Sequence, residues 1–274
     1  MQFNKESLLL FSKTIDWSIL QEGVSIPVQY HPTIIGAIGE ELKHGEKKRL
    51  NVRLDNIVYS ITLTNIDFDR NKYPDHTDII QLRWSKNGSF AQHLRQIFNA
   101  SYNELLEYRG TKKDSEIKKP IINESISFIY NYEDMIIDIE CITADEYHIA
   151  KKQISSLRED EFEIQQNYYK EDTKASIEYK DSTIRIRKIN RAVITGLKLY
   201  YDYHCQICGT CFEKYDIKFV EAHHIDYFVH SLNNNSDNIM VVCPNHHRLI
   251  HYAKPVFQYS IKCLIYPNGL REPL

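Results

Sequence analysis

The chain has 274 residues, 42% of them hydrophobic, with 9 glycines and 8 prolines, a composition that excludes a linker-rich or disordered protein. No run approaches the ~18 apolar residues of a membrane span, and the opening MQFNKESLLLFSK lacks the basic leader and apolar stretch of a secretion signal, so the expectation is a cytoplasmic protein with no membrane partner. The net charge of −3 is unevenly placed: residues 181–274 carry eleven Lys/Arg against eight Asp/Glu, which leaves −6 to residues 1–180 and gives a polyanion its best footing near the C-terminus.

The elements in chain order predict an α+β protein: a mixed α/β unit over 1–180, then a second unit over 181–274. Residues 50–54 and 57–63 alternate apolar and polar side chains around Asp55-Asn56, the pattern of a β-hairpin. Residues 78–84 form a third strand, stopped by Lys86-Asn87-Gly88. Residues 89–106 place Phe90, Leu94, Ile97, Phe98, Tyr102, Leu105 and Leu106 at helical spacing, with Ser89 as the N-cap. The charged stretch 110–120 reads as a linker. Two short strands follow at 125–130 and 135–141, then a charged helix at 144–169, an alternating strand at 176–187 and a short helix at 190–201. Arg185, Arg187, Lys188 and Arg191 meet no acid between 183 and 191. Such a run is ordinarily a solvated face, but here it directly precedes the chemistry-bearing segment, so with Arg248 and Lys254 these residues are candidates for phosphate contact.

Seven of the twelve histidines and four of the six cysteines fall between 204 and 251, an enrichment that packing alone does not explain. Cys205-x-x-Cys208 and Cys243-x-x-His246 are two knuckles of S/N ligands, 35 positions apart, whose chemistry suits one closed tetrahedral zinc site. A redox CxxC is the competing reading, and Cys211 or His204 could substitute as ligands. His223 and His224 end an apolar stretch and, as neighbours on a strand, would face opposite sides. His247 and His251 are four apart, so a helix would set both on one face toward one ion. Two ligands from a helix and one from a strand leave coordination positions open for water and phosphate, as catalytic sites do.

The knuckles, His223-His224-Ile225, Asn238 before a hydrophobic run, and C-P-N-H-H…H at 243–251 together resemble the HNH nuclease family, over residues 187–257. The resemblance implies a ββα-metal domain in which His224 is the general base, His223, His247 and His251 hold a catalytic Mg²⁺ or other divalent ion, Cys205, Cys208, Cys243 and His246 hold zinc, and Asn238 braces the loop and the His224 backbone. His246 stands where many relatives have cysteine, so the roles of His246 and His247 are exchangeable at this level. Asn233, Asn234 and Asn235 compete with Asn238. His230 reads as a surface histidine, and Glu221 and Asp226 as surface acids.

The implied activity is metal-dependent hydrolysis of DNA phosphodiesters by a restriction-type endonuclease acting on specific or modified foreign DNA, with residues 1–180 as the reader. Basic and aromatic residues interleave there at 69–74 and 83–86, although Tyr73 and Trp84 also read as packed side chains. Cutting both strands suggests a homodimer. The alternatives are a nicking, mobile-element or toxin nuclease, and a non-catalytic zinc protein that binds nucleic acid.

Overall fold

The alternating segments of the first half become one sheet of seven strands. The computed structural model describes residues 7–69, 71–73, 77–111, 122–154, 158–160, 163, 182–233 and 235–274. In chain order the strands are β1 (Ser7–Thr14), β2 (Gly23–Ser25), β3 (Lys47–Leu54), β4 (Ile57–Asn65), β5 (Ile80–Arg83), β6 (Ser125–Asn131) and β7 (Ile136–Ile142). Across the sheet they run β1-β6-β7-β3-β4-β5-β2, antiparallel except for the β3–β7 pair. The expected hairpin is β3–β4, and Asp55 and Asn56 take φ values of 48° and 63°, the left-handed pair that a two-residue turn needs and that Asp and Asn tolerate.

Register explains the two faces. Leu50 pairs with Ile61, Val52 with Tyr59 and Leu63 with Leu82, while Lys47 pairs with Thr64, Arg49 with Thr62, Asn51 with Ser60 and Thr62 with Arg83. The first set joins helices α1 (Trp17–Gln21), α2 (His31–Ile38), α3 (Ser89–Ile97) and α4 (Asn99–Thr111) in one core containing Ile19, Ile34, Phe90, Leu94, Phe98 and Phe128. Each such side chain stabilises by about 1.5–3 kcal/mol. The second set leaves Lys47, Arg49, Asn51, Ser60 and Arg83 exposed on the opposite, polar face. A recess of 540 Å³ lies there, lined among others by Lys47, Ser60, Thr62, Arg83 and Trp84.

The helix expected over 89–106 is two. Phe98 breaks it at φ −94°, ψ 42°, which lets Leu94, Phe98 and Leu105 all enter the same core. Its N-cap is Gly88, with Ser89 already helical. Gly23 on β2 has φ 155°, and a Cβ there would lie 2.4 Å from the Leu82 carbonyl oxygen. Gly23→Ala is therefore expected to lower stability by about 1–3 kcal/mol, read as the midpoint of urea unfolding. An unchanged midpoint would mean that β2 shifts freely.

Contacts divide the chain into Met1–Ile149 with Thr173–Ser182, and Ala150–Asp172 with Thr183–Leu274. The sequence reading split it at 180/181, leaving residues 150–172 with the first unit. Helix α5 (Ala144–Ile154) agrees with the charged helix expected there, and Glu159, Asp160 and Glu163 are helical too; residues 155–157, 161–162 and 164–169 lie outside the described residues, as do 112–120 of the expected linker. The strand expected over 176–187 is corrected where it is described: Ser182 opens α6 (Ser182–Tyr200). Ile186, Ile189, Asn190, Val193, Ile194 and Leu197 are all buried, the spacing of one helix face, which overrides the local Ile184/Ile186 alternation. Hairpin β8 (Phe212–Lys214)–β9 (Ile217–Phe219) follows. Then come β10 (Glu221–His224), α7 (Phe228–Ser231), β11 (Ile239–Val242), α8 (Pro244–Ala253) and a meander of β12 (Val256–Gln258), β13 (Cys263–Ile265) and β14 (Arg271–Pro273). The chain is thus α+β, as expected. No helix among the described residues is long and apolar enough to cross a membrane.

Candidate functional site

Strands β10 and β11 pair antiparallel, Glu221 with Val242 and His224 with Ile239, and deliver the chain straight into α8. Pro244 occupies the first turn of that helix, where its fixed φ is already helical and its missing N–H costs nothing. Cys243 is the N-cap, and its carbonyl accepts the His247 N–H at 2.9 Å. One helix therefore serves two clusters, because consecutive residues point about 100° apart.

His246 turns toward the cysteines. Its Nδ1 lies 3.2 Å from Cys243 Sγ and 3.5 Å from Cys205 Sγ, and Cys208 Sγ is 3.9 Å from Cys243 Sγ. The Cys205–Cys208 turn is held to β11 by Gln206, whose N–H donates to the Val241 carbonyl at 2.9 Å and whose Oε1 accepts the Val241 N–H at 2.6 Å. Burial raises the Cys205 thiol to about 11; at Cys208 burial also opposes ionisation, but bonding with Thr210 and the neighbouring thiols prevails and brings it to about 6. A cation would relieve this crowding of thiols, and the four groups could hold a metal ion. His204 and Cys211 stand outside the set: His204 is exposed and bonds the Asp202 carbonyl at 2.8 Å.

His247 and His251 turn the other way, with ring centroids 4.7 Å apart and each within 5.4 Å of His223. His246 and His247 thus face different clusters, His246 the cysteines and His247 the other histidines. Two acids missed by the sequence reading complete this cluster. Glu163 Oε2 lies 2.8 Å from His247 Nε2 and 2.7 Å from His251 Nε2, and its Oε1 accepts the His224 N–H at 2.9 Å and lies 3.4 Å from the Nδ1 atoms of His223 and His224. Glu159 accepts the N–H groups of Phe228 and Val229 at 3.0 and 2.9 Å and approaches His224 Nδ1 at 3.3 Å. Glu221, expected at the surface, is buried and meets His247 Nδ1 at 2.7 Å: on β10 it shares the inward face with His223, two residues on.

His224 is wholly enclosed, at 0% exposure, with its Nε2 3.0 Å from Asn190 Nδ2 and its ring against Phe228. His251, with 23% of its side chain exposed, is the open side of the cluster. Burial works against charge on Glu163 and His247, yet bonds from the histidines hold the Glu163 carboxyl well below the usual carboxylate range, and Glu163 and Glu221 push His247 up to about 9. His223 goes the other way, lowered by burial, and its Nδ1 is buried with no hydrogen-bond partner among the described residues. An ionised carboxylate, three converging imidazoles and an orphaned buried nitrogen fit a divalent cation, and Glu163, His223, His247 and His251 could hold one.

Asn238 bonds Asp226 twice, accepting its N–H at 2.7 Å and donating to its carbonyl at 3.0 Å, and also donates to the Asn233 carbonyl at 3.2 Å. It thus closes the loop between β10 and β11, whereas the His224 backbone N–H is held by Glu163 and not by Asn238. Asn233 and Asn235 do not take this place, and Asn234 lies outside the described residues. His230 is exposed. Of the basic candidates, Arg248 and Lys254 are exposed and Arg191 is half-buried; the side chains of Arg185, Arg187 and Lys188 lie outside the described ones. Trp84 packs edge-on against Phe90 in the first unit's core, and Tyr73 is exposed. No family model, curated protein or solved structure matches the chain.

Proposed function

We propose that the second unit is an HNH-type nuclease head of the ββα-metal kind, and the whole chain a metal-dependent DNA endonuclease of the restriction type. The observation that carries this is the convergence of His223, His247 and His251 from β10 and α8, beside a separate Cys205–Cys208–Cys243–His246 set. Each set matches a role the sequence resemblance implies: the sulfur-rich one for structural zinc, the imidazole one for the ion at the scissile phosphate. A divalent cation there would neutralise the phosphate and the leaving oxygen. His224 would accept the proton of the attacking water. Glu221 orients His247 through Nδ1, and Asn238 fixes the loop that carries the chain from His224 to α7. Arg248 and Lys254, with Arg185, Arg187, Lys188 and Arg191, are the proposed phosphate contacts of this unit, and Lys47, Arg49 and Arg83 on the polar sheet face those of the first. The proposed setting is a homodimer in the cytoplasm.

A second reading, a non-catalytic zinc protein that binds nucleic acid, has one observation in its favour. The His224 ring is enclosed by Asn190, Glu159 and Glu163, so a phosphodiester would reach it only after those contacts open. Incubation of the purified chain with plasmid and with unmodified and cytosine-modified phage DNA, in Mg²⁺, Mn²⁺ or EDTA, separates the two. Cutting that EDTA abolishes is the expected result, and bands confined to one DNA type would make the first unit a reader. Retarded but intact DNA in every metal would favour the second reading.

A further inference from the structure

Resting on the metal-centre reading above, we infer that Glu163 is itself a ligand of the cation held by His223, His247 and His251, so that the donor set is three imidazoles and one carboxylate. Glu163 lies outside the 187–257 segment that carries the nuclease resemblance, and none of the motif's residue roles calls for it.

The hydrogen-bond inventory of His247 carries the inference. With Glu221 Oε2 at 2.7 Å, Nδ1 is the nitrogen that keeps its proton, because a carboxylate only accepts. In the neutral ring Nε2 then presents a lone pair to Glu163 Oε2 at 2.8 Å. His251 Nε2 meets the same oxygen at 2.7 Å. Lone pairs facing each other at such distances repel unless a cation lies among them, and a proton or a metal ion can serve. His223 adds a third nitrogen, orphaned, buried and 3.4 Å from the same carboxylate.

The carboxylate is built for the task. Its side chain is 0% exposed, and an isolated buried anion would be costly. Oε1 is anchored by the His224 N–H at 2.9 Å and faces His223 Nδ1 at 3.4 Å, which leaves Oε2 to His247 and His251. A buried charge of this kind is matched by a cation at the point of convergence. Three nitrogens and one oxygen also specify which cation: Mg²⁺ and Ca²⁺ prefer all-oxygen shells, whereas imidazole-rich sets favour first-row transition ions. The ion is thus of the Mn²⁺, Fe²⁺ or Zn²⁺ class, not Mg²⁺.

The test is Mn²⁺ titration of the full chain, purified with zinc left in its cysteine site, with free Mn²⁺ read by electron paramagnetic resonance and Mg²⁺ run as a competitor. The wild type is expected to bind one Mn²⁺ that Mg²⁺ displaces poorly. Glu163→Gln, which keeps shape and removes charge, and Glu163→Ala are each expected to weaken Mn²⁺ roughly 10–100-fold, as is His223→Ala, with circular dichroism confirming that each variant is folded. Unchanged or tighter Mn²⁺ binding in both Glu163 variants, with the loss confined to His223→Ala, overturns the inference and makes Glu163 a competitor for the ion's place. Unchanged binding in all three, His223→Ala included, overturns it together with the metal centre itself.

Discussion

Replacing His224 with alanine is expected to lower DNA cleavage by about 10²–10⁴-fold, the contribution of a positioned general base, with Mn²⁺ affinity and zinc content unchanged. The split between activity and metal content is what makes the result specific. His224 is next to His223 in sequence, but it groups with Glu159 and Glu163 and not with His247 and His251, and its Nε2 is directed to Asn190. The proposed base and the proposed ligands are thus different rings, and the unchanged Mn²⁺ affinity is what tests that division. The substitution also leaves Glu159 and Glu163 without one of their partners in a buried place, so part of its effect is on stability. His224→Gln, which keeps a hydrogen-bonding group in the space, is the control. Equal loss of cleavage in both variants, at wild-type melting temperature for the glutamine form, places His224 in the reaction. Cleavage at wild-type rate in His224→Ala removes it from the reaction. Cleavage lost only together with folding would make its role structural and sink the assignment as base.

The sequence made some of this legible and concealed the rest, and the difference is one of range. Local periodicity gave the β3–β4 hairpin, because Asp55-Asn56 and the alternation around it act within a few residues. Ligand spacing gave both halves of each cluster within the second unit, because CxxC, CxxH and HxxxH are fixed by one turn of chain. What periodicity could not give was the partner of a histidine across 61 to 88 positions: Glu163 pairs with His224 and His251 at those separations, and one acid in a charged helix looks like any other. A faint signal existed, since Glu159 and Glu163 are four apart and would share a helix face, but nothing local says which face is buried. Glu221 was readable in principle. On an alternating strand it must point the same way as His223, and a carboxylate on the histidine-lined side of a strand is a natural partner for an imidazole. The 176–187 segment failed for the opposite reason: two isoleucines two apart mimic a strand when the helical face they begin is read only over its first turn.

Cys205→Ser and Cys243→Ser are each expected to remove the structural ion and unfold the second unit. Both cysteines are ligand candidates and also members of its core, buried at 2% exposure with Met240, Val242, Ile250, Leu264 and Tyr266. Serine restores the shape but not the thiolate, so the change tests the metal and not the packing. Structural zinc contributes an apparent ~10–16 kcal/mol in small domains, as much as the ~5–15 kcal/mol by which a whole domain is stable. The packing around the two cysteines does not offset a loss of that size. The first unit has a separate core, between its sheet and α1–α4, so urea unfolding of the serine variants should retain its transition and lose the other. Cys211→Ser, outside the cluster, should stay within about 0.5 kcal/mol of wild type. Zinc analysis on the same samples decides the case: one equivalent lost in Cys205→Ser and Cys243→Ser, none in Cys211→Ser. Folded serine variants with full metal content would show that the ion, if bound, is held elsewhere, and the 3.2–3.9 Å convergence of Cys208, Cys243 and His246 would then be packing alone.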